Sequence, residues 1–308
     1  MHLLCDAACA GVDNLLRMGL AKHGGGVRLI DSETEQRIGD LEIPFNQFGV
    51  DPYGIGREDV GRFMSVLRFF YRHYFRTGVS GIERVPSRGR AMLVGNHSGG
   101  VALDAAMTMA SVFFEMDPPR LAHAMAEKFL NRVPFFSRYS NRLGHFTGLP
   151  EHAVRLLEDE RLLMVFPEGA RGTAKLYPER HSLVQFGTGF IRLAMKTKTP
   201  IVPFAFIGGG EAIPTFMNAY TLGKLFGAPY VPVTPYLVAL PLPVRLDIYY
   251  AEPMMFEGSG SEDDEVIGEH VDKVKSVIAS LIDEGVRLRK QRGMFGASPS
   301  RAAASGEG

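Results

Sequence analysis

The sequence predicts an α/β protein: a single domain with a mixed, largely parallel β-sheet flanked by helices. Three observations carry that prediction. Continuous apolar runs of strand length recur at Ala91–Val94, Arg161–Phe166 and Ile201–Ile207. Segments with helical apolar spacing alternate with them, as βαβ units require. Two of the runs end in glycine-containing turns that carry polar residues, at the strand ends where open α/β sheets bind ligands.

The 308 residues suffice for one large domain with a sizeable core. Apolar residues make up 45% and charged residues 22%, a globular balance. Lysine plus arginine equals aspartate plus glutamate, so the formal net charge is +0 and no global attraction to nucleic acid follows. The two cysteines, Cys5 and Cys9, suggest neither a disulfide framework nor a metal site. Met1-His2-Leu3-Leu4 lacks the basic start and long apolar run of a secretory signal, so a cytoplasmic location is expected.

Residues 1–55 read as a lead-in, with a short helix near Val12–Leu20 and a turn-rich Val50-Asp51-Pro52-Tyr53-Gly54. A domain over 56–292 and a disordered tail over 293–308 complete the predicted organisation. From Val60, the residues Val60, Phe63, Met64, Leu67, Tyr71 and Tyr74 fall at helical spacing, accompanied by Arg62, Arg68, Arg72 and Arg76. Such a basic amphipathic helix either lies on an anionic membrane or docks its apolar side on the domain.

Further along, helices are expected at Ala102–Phe114, 127–135, His152–Asp159 and Ser182–Thr197, and further strands at Arg120–Met125 and Val244–Tyr250. Between Lys224 and Arg245 no residue is charged, yet five prolines rule out a regular spanning helix. That apolar loop either wraps the core or forms a rim that meets lipid or an acyl chain. Acidic residues at 262–265 open a last helix, with Ile267, Val271, Val274, Ile278 and Leu281 on one face and Arg287, Arg289, Lys290 and Arg292 near its end. That polarity suits the helix dipole.

Chemistry concentrates first at Asn96-His97-Ser98-Gly99-Gly100, followed by Asp104. Glycines at 99 and 100 let the chain bend and let another molecule approach. In one continuous helix His97 and Asp104 would be separated by about 10 Å of rise. Residues 98–100 are therefore expected to fold back, so that the Asp104 carboxylate orients the imidazole as a general base. The alternative is a strand-end histidine beside an aspartate favoured only by a helix N-terminus.

A second stretch, Phe166-Pro167-Glu168-Gly169-Ala170-Arg171, follows a predicted strand. Glu168 and Arg171 either contact substrate, the guanidinium forking onto an anion, or pair with each other to stiffen the turn. His123, His145, His152 and His181 show no metal-site spacing. Gly208-Gly209-Gly210 lacks the spacing of a phosphate-binding fingerprint and reads as a turn near the site.

Taken together, Asn96-His97 with Asp104, the Phe166–Arg171 loop and Pro200-Ile201-Val202-Pro203-Phe204 resemble the ordered motifs of glycerolipid and lysophospholipid acyltransferases. Asp51-Pro52-Tyr53-Gly54 with the aromatic-basic helix, and His97-Ser98-Gly99-Gly100, are similar to bacterial members near the mono- and diacylglycerol acyltransferase branch. The resemblance spans roughly residues 45–290.

It implies transfer of a fatty acyl group from a thioester, on coenzyme A or acyl carrier protein, to a lipid hydroxyl. His97 is then the base and Asp104 its orienting partner. Asn96, Ser98, Gly99, Gly100, Glu168, Gly169 and Arg171 line the substrate site, and Pro203 shapes its floor. No metal or other cofactor is required, and the implied location is peripheral, on the inner face of a membrane.

Two departures stand out. Six residues separate His97 from Asp104, more than in the family's commonest motif. Gly144-His145-Phe146-Thr147-Gly148-Leu149-Pro150 lacks the arginine that the acceptor motif usually carries, which tilts the acceptor toward a neutral or large lipid. The other readings of the same residues are a lipid-binding protein that has lost transfer, and a hydrolase that passes the acyl group to water.

Overall fold

In a computed structural model, residues 30–99, 103–126, 141–144, 146–147, 150–225, 229–236 and 241–292 are described. The expected helices near Val12–Leu20 and over 127–135, Cys5, Cys9, Gly100, His145 and the tail lie outside them.

Seven strands form the main sheet: β1 (Gly78–Ser80), β2 (Ala91–Gly95), β3 (Ala122–Ala126), β4 (Phe146–Thr147), β5 (Leu162–Val165), β6 (Ile201–Ile207) and β9 (Asp247–Tyr250). Their spatial order is β1-β9-β6-β2-β5-β3-β4. Strands β6, β2, β5, β3 and β4 run parallel, and β9 runs antiparallel to β6 with β1 parallel to β9. The sheet is thus mixed and largely parallel, as its near-continuous apolar strands require. Every residue of β2 and β6 is buried.

A small second sheet pairs β7 (Met217–Ala219) with β8 (Val231–Val233). The helices are α1 (Ser32–Gly39), α2 (Arg57–Phe69), α3 (Leu103–Glu115), α4 (Pro150–Glu158), α5 (Ala170–Thr173), α6 (Gly189–Thr197), α7 (Gly209–Ala212), α8 (Tyr220–Leu225) and α9 (Asp264–Arg292). None of the described helices is long and apolar enough to cross a membrane.

Helix α1 falls within the stretch read as lead-in, and Ile38, Leu41 and Ile55 join the core. Asp31 caps α1 by accepting from the Thr34 amide. Burial opposes ionisation of Asp31, but the Thr34 and Ser65 hydrogen bonds and the Arg68 charge outweigh it and lower its pKa.

Helix α2 continues through a π-turn at Phe70–Tyr74. Of the two readings of its amphipathicity, docking on the domain prevails: Val60, Met64, Leu67 and Tyr71 are buried in the core. Three arginines along the helix and its π-turn are partnered. Arg68 bridges Asp31 and Glu33, Arg72 bridges Glu33, and Arg62 pairs with Glu58.

The helix expected over Ser182–Thr197 begins only at Gly189, because residues 184 and 187 bond elsewhere. The Gly187 amide donates to the Pro167 carbonyl and the Val184 amide to the Glu168 carboxylate. Helix α9 packs along β6 through Ile267, Val271, Val274, Ile278 and Ile282, with Ile282 taking the place expected for Leu281. Its late arginine Arg289 turns inward to Asp247 and the Arg245 carbonyl.

Since Met64 is fully buried on α2 and Phe69 is 45% exposed, the two should respond differently to truncation. Met64→Ala is expected to cost about 2–5 kcal/mol in urea unfolding. Phe69→Ala should stay within about 0.5 kcal/mol of the parent.

Candidate active site

The site is built at the end of β2. Beyond Gly95 the chain leaves the ladder, and the Asn96 side chain continues it: its amide donates to the Phe206 carbonyl at 3.0 Å and accepts from the Phe206 amide at 2.7 Å. Asn96 therefore ties β2 to β6 and is buried, its amide held internally rather than presented to a ligand.

His97 is held on three sides. Its backbone amide donates to Glu168 Oε1 at 2.8 Å. Its ring lies on Phe166 with centroids 4.4 Å apart, nearly parallel. Its Nδ1 is 2.6 Å from Asp104 Oδ2. The same oxygen accepts from the Ser98 amide at 2.7 Å, and Asp104 Oδ1 accepts from the Ala105 amide at 2.8 Å. Asp104 is fully buried in the first turn of α3, where the helix N-terminus favours negative charge. With Asp104 as the acceptor in this contact, Nδ1–H is the donor and Nε2 is left as the ring's acceptor. The His97 side chain is 13% exposed, and no described residue bonds Nε2.

The expected fold-back is present where it is described: Ser98 and Gly99 are non-helical, and Gly99 has φ +98°. A Cβ on Gly99 would meet the Gly209 carbonyl oxygen at 3.1 Å, so the glycine turn at 208–210 does abut the site.

Glu168 is fully buried, and its ion partner is Lys175, not Arg171. Lys175 Nζ donates to Glu168 Oε2 at 3.0 Å and to Oε1 at 3.2 Å, and the Val184 amide donates to Oε2 at 2.9 Å. Together with His97, these donors occupy both carboxylate oxygens, so Glu168 is a scaffold group. Gly169 has φ +56° at the start of α5. Gly172 is required for packing, since a Cβ there would lie 2.7 Å from the His97 Cβ. Arg171 is exposed and has no ion pair among the described residues, which leaves its guanidinium available to an anion. Pro203 is buried in β6 in register with Val94 and supports the end of β2.

Sequence reasoning did not single out Lys175 or the stacking role of Phe166. Phe166 extends into an aromatic column through Phe204 and Tyr250, whose hydroxyl pairs with Ser111. Only the placement of Phe166 beside Glu168 hinted at it.

Behind the glycine turn, Glu211 contacts Arg180 and His181, each at 3.2 Å. Burial pushes the Glu211 carboxyl up, but the His181 hydrogen bond and the His181 and Arg289 charges prevail and bring its pKa down to about 2. A cavity of about 310 Å³ lined by His181, Asp272, Lys275 and Asp283, among others, does not include His97 in its lining. No cluster of three or more metal-ligating side chains occurs among the described residues.

At the end of β2 a largely parallel sheet thus presents a histidine whose ring contacts a buried carboxylate and whose Nε2 is bonded by no described residue, beside a loop whose arginine has no ion pair among the described residues. The family model described as Acyltransferase matches residues 76–207, which contain all of these groups. An uncharacterized protein of Mycobacterium tuberculosis is 33% identical over 258 residues, covering 80% of this chain and 70% of its own. An uncharacterized protein of Mycobacterium leprae is likewise 33% identical, over 85% of this chain and 72% of its own. The human DGAT1/2-independent enzyme synthesizing storage lipids is 26% identical over 68% of this chain and 62% of its own length. The crystal structure of the LPA acyltransferase PlsC from Thermotoga maritima superposes with TM-score 0.49 and 18% identity, covering 73% of this chain and 81% of that one. The chain belongs to the acyltransferase family that this model describes, and it is an acyltransferase.

The Glu211 carboxyl, ordinarily near 4.5, sits near 2 in the folded protein, so its contribution is present above the unfolded value and lost as pH falls through the folded one. Glu211→Gln should therefore lower stability near neutral pH by on the order of 3 kcal/mol. In chemical denaturation the gap between parent and variant should narrow between about pH 4.5 and 2.

Proposed function

We propose that the protein moves a fatty acyl group from an acyl thioester, on coenzyme A or acyl carrier protein, to a lipid hydroxyl, with His97 as the general base. The observation that carries this reading is the 2.6 Å contact between His97 Nδ1 and Asp104, with Nε2 bonded by no described residue. Nε2 takes the proton from the acceptor hydroxyl as its oxygen attacks the thioester carbonyl. Asp104 stabilises the imidazolium that forms. When the tetrahedral intermediate collapses, the C–S bond breaks and the imidazolium returns its proton to the departing sulfur, giving an ester and a free thiol.

A neutral acylglycerol-type acceptor is supported by two facts. Relatives are named for synthesizing storage lipids, and residues 144–150 lack an arginine. Arg171, exposed and without an ion pair among the described residues, is suited to an anionic part of the thioester carrier.

His97→Ala and Asp104→Asn should each reduce thiol release from an acyl thioester in the presence of a mono- or diacylglycerol, the former by at least about a hundredfold. Turnover by His97→Ala at the parent rate would defeat this mechanism. Thiol release that does not require the lipid alcohol would instead mark a hydrolase.

The protein is further proposed to work bound peripherally to a membrane. Support shifts from α2, whose apolar face is in the core, to the exposed Phe216, Met217, Tyr220 and Leu222 on β7 and α8. Lys224 is the sole charge between Glu211 and Arg245, a composition suited to an anionic lipid surface. This patch is joined to the site loop, where Asn218 donates to the Ala174 carbonyl at 2.6 Å and Tyr230 to the Thr173 hydroxyl at 2.5 Å. In sedimentation with phosphatidylglycerol vesicles, the combined change Met217→Ser, Tyr220→Ser and Leu222→Ser should weaken binding at least about tenfold. Phe48→Ser, which removes an apolar side chain even more open to solvent but remote in sequence, should leave binding unchanged.

A further inference from the structure

The Glu168–Lys175 pair is out of reach of a substrate and yet directly bonded to the catalytic histidine's backbone. Lys175 is 4% exposed and Glu168 fully buried, an arrangement that is costly unless every donor and acceptor is satisfied. Here they are. The ammonium donates to both Glu168 oxygens and, at 2.9 Å, to the Ser182 carbonyl. The carboxylate in turn receives the His97 and Val184 amides. One buried cation thus ties together the loop after β5, the extended segment 182–184 and the end of β2.

We infer that Lys175 is a positioning residue for the transfer reaction: by neutralising Glu168 it fixes the carboxylate that holds the His97 amide, and so sets where Nε2 stands relative to the thioester. This rests on the proposed chemistry of His97 and assigns Glu168 an internal role in it. Asp104 fixes the imidazole from Nδ1, Phe166 covers one ring face, and the Glu168–Lys175 pair fixes the backbone from which the ring projects. Loss of Lys175 would leave a buried carboxylate without a counter-ion. It would have to gain a proton or swing toward water, and in either case its bond to His97 weakens.

The charge balance supplies a distinctive test. Lys175→Met strands the carboxylate and Glu168→Gln strands the ammonium. The double change removes both charges while glutamine keeps an oxygen for the His97 amide. Lys175→Met is expected to lower kcat by about a hundredfold, the scale of a catalytic group misplaced by an ångström, with KM for the thioester held within about threefold. The double variant should recover most of that loss and outperform both single variants. If Glu168 instead bound the acceptor, Glu168→Gln would raise the acceptor KM and the double variant would be no better than either single one. That result overturns the inference.

A second readout does not depend on turnover. Hydrogen exchange of the His97 amide, followed by NMR, should accelerate at least about tenfold in Lys175→Met and return toward the parent rate in the double variant. Parent-like protection in Lys175→Met would overturn the inference even if the protein releases no thiol, an outcome that would by itself defeat only the transfer reaction. Should Lys175→Met fail to fold, comparing Glu168→Gln with the double variant decides the same question.

Discussion

A buried carboxylate with three simultaneous hydrogen-bond donors fixes the geometry on which the rest of the structure converges. Asp104 accepts from the His97 ring, the Ser98 amide and the Ala105 amide. The first bond orients the imidazole, the second closes the turn between β2 and α3, and the third seats the charge at the start of the helix. A fully buried carboxylate is tolerable only with such a set of partners. Those partners come from a strand end, a turn and a helix, so the fold and the site stand or fall together.

The scaffold meets that demand from the opposite side of the histidine. Asn96 extends the β2–β6 pairing by one side chain, which brings β6 and the glycine turn after it against Ser98 and Gly99. Glu168 and Lys175 lock the loop after β5 onto the His97 amide. Gly172 leaves the space that lets this loop approach within contact of the His97 Cβ. Three parallel neighbours, β6, β2 and β5, therefore deliver their carboxyl ends to one point, the usual location of chemistry in sheets of this kind.

Much of this was legible in the sequence. The apolar runs at 91–95, 162–165 and 201–207 became adjacent central strands because a strand buried on both faces has few residue types to choose from. The His97–Asp104 contact followed from asking how two residues too far apart on a helix could meet. Other features were beyond reach because they depend on long-range partners. Local pattern at α2 fitted a membrane surface as well as a core, and only the acidic residues Asp31 and Glu33, distant in sequence, show that its arginines are matched within the protein. Residues 182–188 carry helical spacing, but the Val184 and Gly187 amides go to Glu168 and Pro167. The choice between Arg171 and Lys175 as partner of Glu168 depends on how the chain turns back after a four-residue helix that leaves Arg171 exposed, which composition does not encode.

The same internal pairing divides the loop's labour. Glu168, Gly172 and Lys175 build the site, while Arg171 is exposed and has no ion pair among the described residues. In the proposed mechanism the chemistry reduces to one nitrogen, Nε2 of His97, whose basicity depends on which ring position carries the proton. Nitrogen-15 NMR of the histidine ring reads that directly. The account predicts that neutral His97 is protonated at Nδ1 and bare at Nε2, and that Asp104→Asn disturbs this preference. A neutral ring protonated at Nε2 in the parent protein would contradict it.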